Sequence, residues 1–385
     1  MKFLFSIGVV DKNFVYMIVG GFFRFFVNLF LGPNILSPIL SHSLVMNIAS
    51  SLGLMISIIP MIIYKIRNNE MKCCCEFVEN VVKYDLVYND SYRKVTYGKY
   101  KWILLSSIID FIQTVVFDEF TGNCKANMWI FDILFMSFFS FFFFKIKLYI
   151  HHYISIILII CVGISLDIYL SHYIFNDIDV VISMLFKFIS EIILSFGFVI
   201  DKYTMEKKFC SPYEMCFFHG AVNFILSLIL LSFSREIGLD NYDEFFQNFS
   251  SEKFWAFFLM MITQLIFNIF ILIINKNTTP CHIIIMLIIG QFAPYIKALT
   301  NDTKNSIILI IGLLIIFLFS LIFNEIIEVN CLKLQLNTKK NIALRARYDS
   351  LSVINFVNEL NEEEEEEADD NDDENNKIND SSKSF

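Results

Sequence analysis

The sequence predicts an all-α membrane protein, with about ten transmembrane helices built as two inverted five-helix repeats. Three observations lead there. Of the 385 residues, 56% are hydrophobic and only 18% are charged, and 44 are Phe. Soluble domains average about 45–50% apolar and about 25% charged, and the mean hydropathy here is +0.59. Apolar windows of about 20 residues, enough to carry a helix across roughly 30 Å of hydrocarbon, recur along the whole chain. Ten such windows divide into five and five. An odd number per half inserts the second half upside down relative to the first, a common build of secondary transporters.

The windows are 14–31, 45–64, 103–118, 128–145, 149–170, 181–201, 214–233, 254–274, 281–298 and 306–326. In lipid only helices and closed barrels satisfy their own backbone. Barrel strands alternate at period two, whereas these runs are continuous, so they are helices. The domain plan follows: a cytosolic N-terminus over 1–13, a first repeat over 14–172 with a cytosolic loop at 65–102, a second repeat over 178–328, and a cytosolic tail over 329–385. The tail is acidic and reads as disordered from about 358, because "NEEEEEEADDNDDENN" (Asn361–Asn376) lacks the apolar residues that offset ordering entropy. That run supplies most of the net charge of −9.

Taken in order, the windows carry few ionisable residues, and those few are informative. A charge at a helix centre costs about 2.5–3.5 kcal/mol on insertion scales, so such residues turn toward protein or water. The first window, "MIVGGFFRFFVNLF", holds Arg24 and Asn28 four apart. The short third window, "WILLSSIIDFIQTVVF", holds Asp110 and Gln113, and the fourth holds Asp132. The fifth opens on His151–His152, at a cytosolic span entrance with no evident acidic or Cys partner, which reads as an interfacial anchor. The sixth, "SMLFKFISEIILSFGF", puts Lys187 and Glu191 one helical turn apart on a face shared with Ser183, Ser190 and Ser195. The ninth contains "LIIGQFAPYIKAL", where Gly290 and Pro294 should weaken the helix while Gln291 and Tyr295 offer polar contacts. The expected site is therefore a central polar cavity. It is lined by Arg24, Asn28, Asp110, Gln113, Asp132, Lys187, Glu191, Gln291 and Tyr295. The bland alternative is an ion-pair network that only fixes helix packing, with Lys187 snorkelling outward.

Loop charge sets the orientation. With the N-terminus inside, cytosolic connections hold fourteen Lys/Arg against five on the other side, eight of them between Lys65 and Lys101. This is the positive-inside bias, and it puts both termini in the cytosol. The sequons at Asn248 and Asn301 then fall on the side where glycosylation occurs, and those at Asn89 and Asn277 do not. The N-terminus "MKFLFSIGVVDKN" has no small-residue cleavage site and does not read as a removable signal. The nine Cys form no CxxC pair or zinc spacing; Cys161 and Cys216 read as packing residues, and Cys73–Cys75 sit in a basic loop open to palmitoylation. HExxH, GxSxG, Walker loop and Asp-rich prenyltransferase motifs are all missing. No cofactor, metal or nucleic-acid partner is expected.

Four junctions resemble the nucleotide-sugar-transporter-like branch of the drug/metabolite transporter superfamily. They are "KIKLYIHHYISIILIICVGISLDI" with its late Gly163, "FVIDKYTMEKKFCSPYEMCFFHGAVNFILSL" with a turn at Ser211–Pro212, "NKNTTPCHIIIMLIIGQFAPYIKAL", and "FNEIIEVNCLKLQLNTKKNI" after the tenth window. The resemblance is one of order, spacing and turn chemistry over most of 14–345. It does not extend to the paired Lys and Gly motifs of nucleotide-sugar carriers, for which Lys297 is the sole candidate. It implies two inverted five-helix repeats and alternating access. Solute would bind among the first to fourth and sixth to ninth helices, and the peripheral fifth and tenth would be available for a homodimer. The expectation is a solute carrier, not an enzyme, in an endomembrane such as Golgi, ER or vesicle. Its partners would be membrane lipid and a small organic solute, an anionic metabolite or nucleotide sugar. The competing readings are a membrane enzyme using His152 or Asp110 on a lipid-linked substrate, and a scaffold presenting the acidic tail.

Overall fold

Backbone groups that cannot reach water close their hydrogen bonds locally. The structure, a computed structural model, is accordingly helical apart from two three-residue strands. It describes residues 5–7, 12–36, 43–67, 86–117, 128–146, 148–171, 178–208, 210–237, 250–299 and 303–329. The tail beyond Val329, the sequons Asn248 and Asn301, and Cys73–Cys75 lie outside the described residues.

In chain order, β1 (Phe5–Ile7) precedes α1 (Lys12–Phe26), which widens into a π-helix over Val27–Leu36. α2 (Ser43–Met55) and α3 (Ile58–Arg67) follow, then α4 (Leu86–Phe111) with a π-helical end at Ile112–Phe117. A 3-10 turn at Met128–Phe131 leads into α5 (Asp132–Phe144), and α6 (Ile150–Ser171) and α7 (Ile178–Lys207) come next. α8 (Pro212–Ile237) and α9 (Ser251–Asn277) precede a second 3-10 turn at Pro280–His282, which opens α10 (Ile283–Ala298). α11 (Thr303–Phe323) and β2 (Ile327–Val329) close the described chain.

Three elements depart from the windows, each for a local reason. The second window is two helices, because Pro60 has no N–H for the carbonyl of Ile56; the chain passes through Ile56–Ser57 on tighter i→i−3 bonds, such as Ser57 N to Leu54 O at 3.0 Å. The loop placed over 65–102 is helical from Leu86 onward. "LVYNDSYRKVTYGKY" is too polar for a hydropathy window to find, yet contains no Pro. The ninth window is not broken: α10 runs unbroken through Gly290 and Pro294.

Helix ends follow ordinary chemistry. Ser250 caps α9 by accepting the N–H of Lys253 at 3.3 Å, with Glu252 in the first turn and Lys276 in the last. Thr279 and His282 cap each other reciprocally around Pro280, which gives His282 a structural role. Lys145 ends α5 in the left-handed region, its N–H bonded to Phe141 O.

The chain divides into two units. In the smaller one, β1 and β2 pair antiparallel, Phe5 opposite Val329 and Ile7 opposite Ile327. The larger, Val10–Ile326, is the helical body. In it α1 packs on α9 and α10, α2 on α8 and α9, α4 on α7 and α8, α5 on α7, and α11 on α6 and α10. Small residues let backbones meet. A Cβ at Gly53 of α2 would come within 2.9 Å of Met261 Cα in α9, and one at Gly220 of α8 within 2.7 Å of Ser51 O in α2.

Large apolar side chains point outward on many helices: Phe22, Phe142, Ile157, Ile168 and Leu185 are each at least half exposed. A soluble monomer does not carry apolar surface on that scale. Seven stretches among the described residues are long and apolar enough to cross a bilayer: Lys12–Gly32, Leu44–Tyr64, Ile150–Tyr169, Pro212–Phe233, Ser251–Asn277, Pro280–Lys297 and Asn305–Phe323. The third, fourth and sixth windows fall on α4, α5 and α7, which are shorter in apolar length or richer in charge. The protein is thus an all-α, multi-pass membrane protein.

Candidate functional site

Polar residues that a soluble fold would put outside are turned inward here. α7 carries the central set. Ser190 and Ser195 are completely buried and Glu191 is 2% exposed. Lys187 Nζ lies 3.0 Å from Glu191 Oε1, the i, i+4 pair that the sequence spacing anticipates. α5 packs on α7 and brings Asp132, 1% exposed, whose Oδ1 accepts a hydrogen bond from Ser195 Oγ at 3.1 Å. Ser195 stands one turn after Glu191, so Asp132 lies against the same face of α7 as Glu191. From the π-helical end of α4, Gln113 Nε2 donates to Ser190 Oγ at 3.3 Å.

Arg24 enters from α1. Its guanidinium carbon stands 4.7 Å from the Phe267 ring centroid, a cation–π geometry, and it feels the charges of Glu191 and Asp132. Its position depends on Gly290: a Cβ there would come within 2.5 Å of Arg24 Cδ. One turn on, Asn28 Nδ2 donates to Gly290 O at 3.3 Å. Gly290 therefore makes room for the arginine and does not weaken α10. Asp132, Ser195, Glu191 and Lys187 form one set along α7, with both carboxyls buried and Lys187 a quarter exposed; Arg24, half-buried, stands within electrostatic range of the two carboxyls. Asn28 and Gln113 lie at the edges of this set.

The other expected residues go elsewhere. Asp110 joins a second set, accepting from Asn223 Nδ2 at 2.6 Å; Ser227 Oγ donates to Asn223 O at 2.7 Å and accepts from Asn47 Nδ2 at 2.7 Å. This ladder ties α4, α8 and α2 together. Tyr295 lines an apolar crevice with Trp129, Ile130, Leu166, Leu309 and Leu313. Gln291 is half-buried.

A third polar set was not anticipated. Asp201, near the end of α7, accepts from Ser106 of α4 and lies 3.5 Å from His219 Nε2 of α8. The residue types match a hydrolytic triad but the order does not. In a triad the imidazole stands between hydroxyl and carboxylate; here Asp201 stands between, so nothing activates Ser106. Nearby, Lys202 Nζ donates to Lys276 O at 2.8 Å, Asn275 Nδ2 donates to Phe198 O at 2.7 Å, and Lys99 pairs with Glu214 at 2.7 Å. Burial opposes the charge on Lys99, but the Glu214 carboxylate outweighs it and holds the ammonium above its ordinary value. Burial, with Glu214 beside it, pushes the Cys210 thiol up, so it is not a nucleophile. Asn47, Asn223 and Asp201 carried the same signal as Asn28, a polar residue inside or closing an apolar window. What the sequence lacked was their partner.

His151 and His152 open α6, and contrary to expectation they have an acidic neighbour. Glu325, just past α11, lies 3.4 Å from His151 Nε2 and 3.7 Å from His152 Nε2. The three could offer ligand atoms within 4.8 Å of one another. Yet His152 Nδ1 accepts the N–H of Tyr149 at 3.0 Å. A neutral ring so bonded carries its proton on Nε2, leaving no lone pair there for a metal. The cluster is a polar clasp between α6 and the end of α11.

The fold and these interior sets define a class: a multi-pass helical membrane protein with an ionic centre. No family model matches the sequence, and no curated protein matches it either.

Proposed function

We propose that the protein is a carrier that moves a small organic anion across an internal membrane by alternating access. Its ten spans would form two inverted five-helix halves, with both termini in the cytosol. The observation that carries this reading is the interior group of Arg24, Asp132, Lys187 and Glu191, drawn from α1, α5 and α7. Charge inside an apolar helical body, with the carboxyls buried and the cations half-buried, is costly for mere packing, and two cations near two carboxyls suit an anionic solute whose charge must be met and then released. Direct use of ATP has no support in the sequence, so exchange or an ion gradient would supply the energy.

Two structural facts favour the ten-span, two-half plan. The first is the packing scheme. Let α2 with α3 count as the second span, and α4 to α11 as the third to tenth. Exchanging each span with the one five places on converts α1 on α10 into α7 on α5, α7 on α4 into α1 on α9, and α2 on α9 into α8 on α4. It leaves α2 on α8 and α6 on α11 unchanged. All of these pairs are observed. The corresponding interfaces carry the two ends of the site, Arg24 against Gly290 and Glu191 near Asp132.

The second fact is the β1–β2 ribbon. Only four residues separate β1 from α1, and three separate α11 from β2. At most about 3.5 Å per residue, such links cannot cross roughly 30 Å of hydrocarbon. Paired strands therefore call for an even number of crossings. The seven stretches found among the described residues are an odd number, and crossing by all three of α4, α5 and α7 would make ten.

The test is uptake in proteoliposomes of labelled phosphorylated metabolites, carboxylates and nucleotide sugars, assayed singly. Glu191→Gln and Arg24→Ala should abolish uptake while the melting temperature stays near that of the wild type. Normal transport by both variants would overturn the assignment.

A further inference from the structure

The carrier reading leaves one feature unexplained: two carboxyl groups lie near each other in the interior. Ser195, one helical turn after Glu191 on α7, bonds Asp132, so the two carboxyl groups lie along one face of that helix, and both are almost completely buried. Two ionised carboxylates are both acceptors and cannot bond to one another. The donors around them are accounted for unevenly. Lys187 serves Glu191 Oε1, and Ser195 serves Asp132 Oδ1. Asp132 Oδ2 is buried with no donor. A proton held by the pair removes the charge from this unmatched oxygen.

We propose that Asp132 and Glu191 together form a proton-binding site, and that the proton it loads is the coupling ion of transport. The second half rests on the carrier reading; the first does not. Charged groups facing the pair, among the described residues, are Lys187 on α7 and Arg24 on α1. α4 contributes the neutral Gln113, through Ser190, while its Asp110 is engaged by Asn223. α9 contributes the Phe267 ring under Arg24, and the 3-10 turn before α10 contributes Cys281, which touches Ser137 of α5.

These neighbours favour a proton over a metal cation. Sodium would need several oxygen ligands and would face two fixed positive charges, whereas a proton needs one oxygen and no coordination shell. The charge arithmetic then gives coupling a direction. With both carboxyls ionised the four residues sum to zero; with the proton bound they sum to +1. Loading the proton therefore favours an anion, and by reciprocity a bound anion favours the proton. The two would travel together, from the more acidic side.

The proton site can be tested without knowing the solute. Full-length protein in lipid nanodiscs is titrated over pH about 4 to 9 by infrared difference spectroscopy in H2O and D2O. The expected result is a protonated-carboxyl C=O band that shifts in D2O, titrates, and is lost in Asp132→Asn. Glu191→Gln should remove the same band, because an amide N–H can then donate to the remaining carboxylate; it serves if Asp132→Asn does not fold. Absence of a band sensitive to either substitution overturns the proposal. Coupling is tested in vesicles with a trapped pH dye: any transported anion should carry protons with it, and transport that leaves the dye unchanged overturns the coupling. If no anion is transported at all, the carrier reading falls, while the infrared band still decides the proton site.

Discussion

A charged side chain survives in an oily interior by finding a partner, and the described ionisable residues there do so by different means. Lys187 and Glu191 pair along one helix; Asp110 is met by an amide from another helix; Asp201 is met by a hydroxyl and an imidazole. Arg24 rests on an aromatic face, with the carboxylates of Glu191 and Asp132 within electrostatic range. Outside the spans, Lys99 and Glu214 give a pH prediction. The folded-state value of Lys99 lies above its ordinary 10.5. Its contribution to stability is therefore complete below that value and is lost as pH rises through the higher folded-state one. The melting temperature of the wild type should fall as pH rises above 10.5. Lys99→Met should melt lower at neutral pH, because it removes the cation paired with the buried Glu214 carboxylate, and should show a smaller alkaline drop. Equal alkaline drops in both proteins would refute the assignment.

Among elements, what distinguishes these helices is where backbones touch. Gly53 meets the main chain of Met261, and Gly220 meets that of Ser51 and Met55, so α2 is gripped on two sides. A methyl at Gly53 would press on backbone, which cannot step aside as a side-chain tip can. Gly53→Ala should therefore destabilise by about 1–3 kcal/mol, the usual cost of overpacking, seen as a lower melting temperature. Gly98→Ala is the control. Its nearest neighbour is the end of Lys208 at 3.8 Å, so it should be neutral or slightly stabilising. A Gly53→Ala protein as stable as the control would mean that α2 and α9 are not in close contact. Hydropathy windows located the helical bodies because burial in lipid demands continuous apolar length. They missed the break at Ile56–Ser57, the polar first half of α4 and the continuity of α10, which depend on single prolines and on neighbours.

For the whole molecule, the relation between halves and the parity of crossings are linked. Pairing of β1 with β2 suits an even count, and the proposed ten-span, two-half plan would supply one. Tags fused at the N-terminus and after Val329 should respond identically to protease in sealed microsomes, both being cleaved from the cytosolic side. Protection of one tag alone would refute both the ribbon and the two-half plan. Ribbon pairing was not legible in the sequence, since three residues of "FSI" and three of "IEV" carry no pattern that distinguishes them from any short apolar run.

The sequence by itself determined that the chain is helical, lies in a membrane and carries a few charges inside apolar spans. Each of these follows from composition and from the length of apolar runs, which are local properties. Only the tertiary structure decided which charges meet. Asp132 bonds Ser195 on the Glu191 face of α7 and Asp110 does not, Tyr295 lines an apolar crevice, and Gly290 yields its space to Arg24. A helix fixes the direction of a side chain only relative to its own axis. The rotation of each helix against its neighbours, set by glycines and packing, is what turns scattered polar residues into a site.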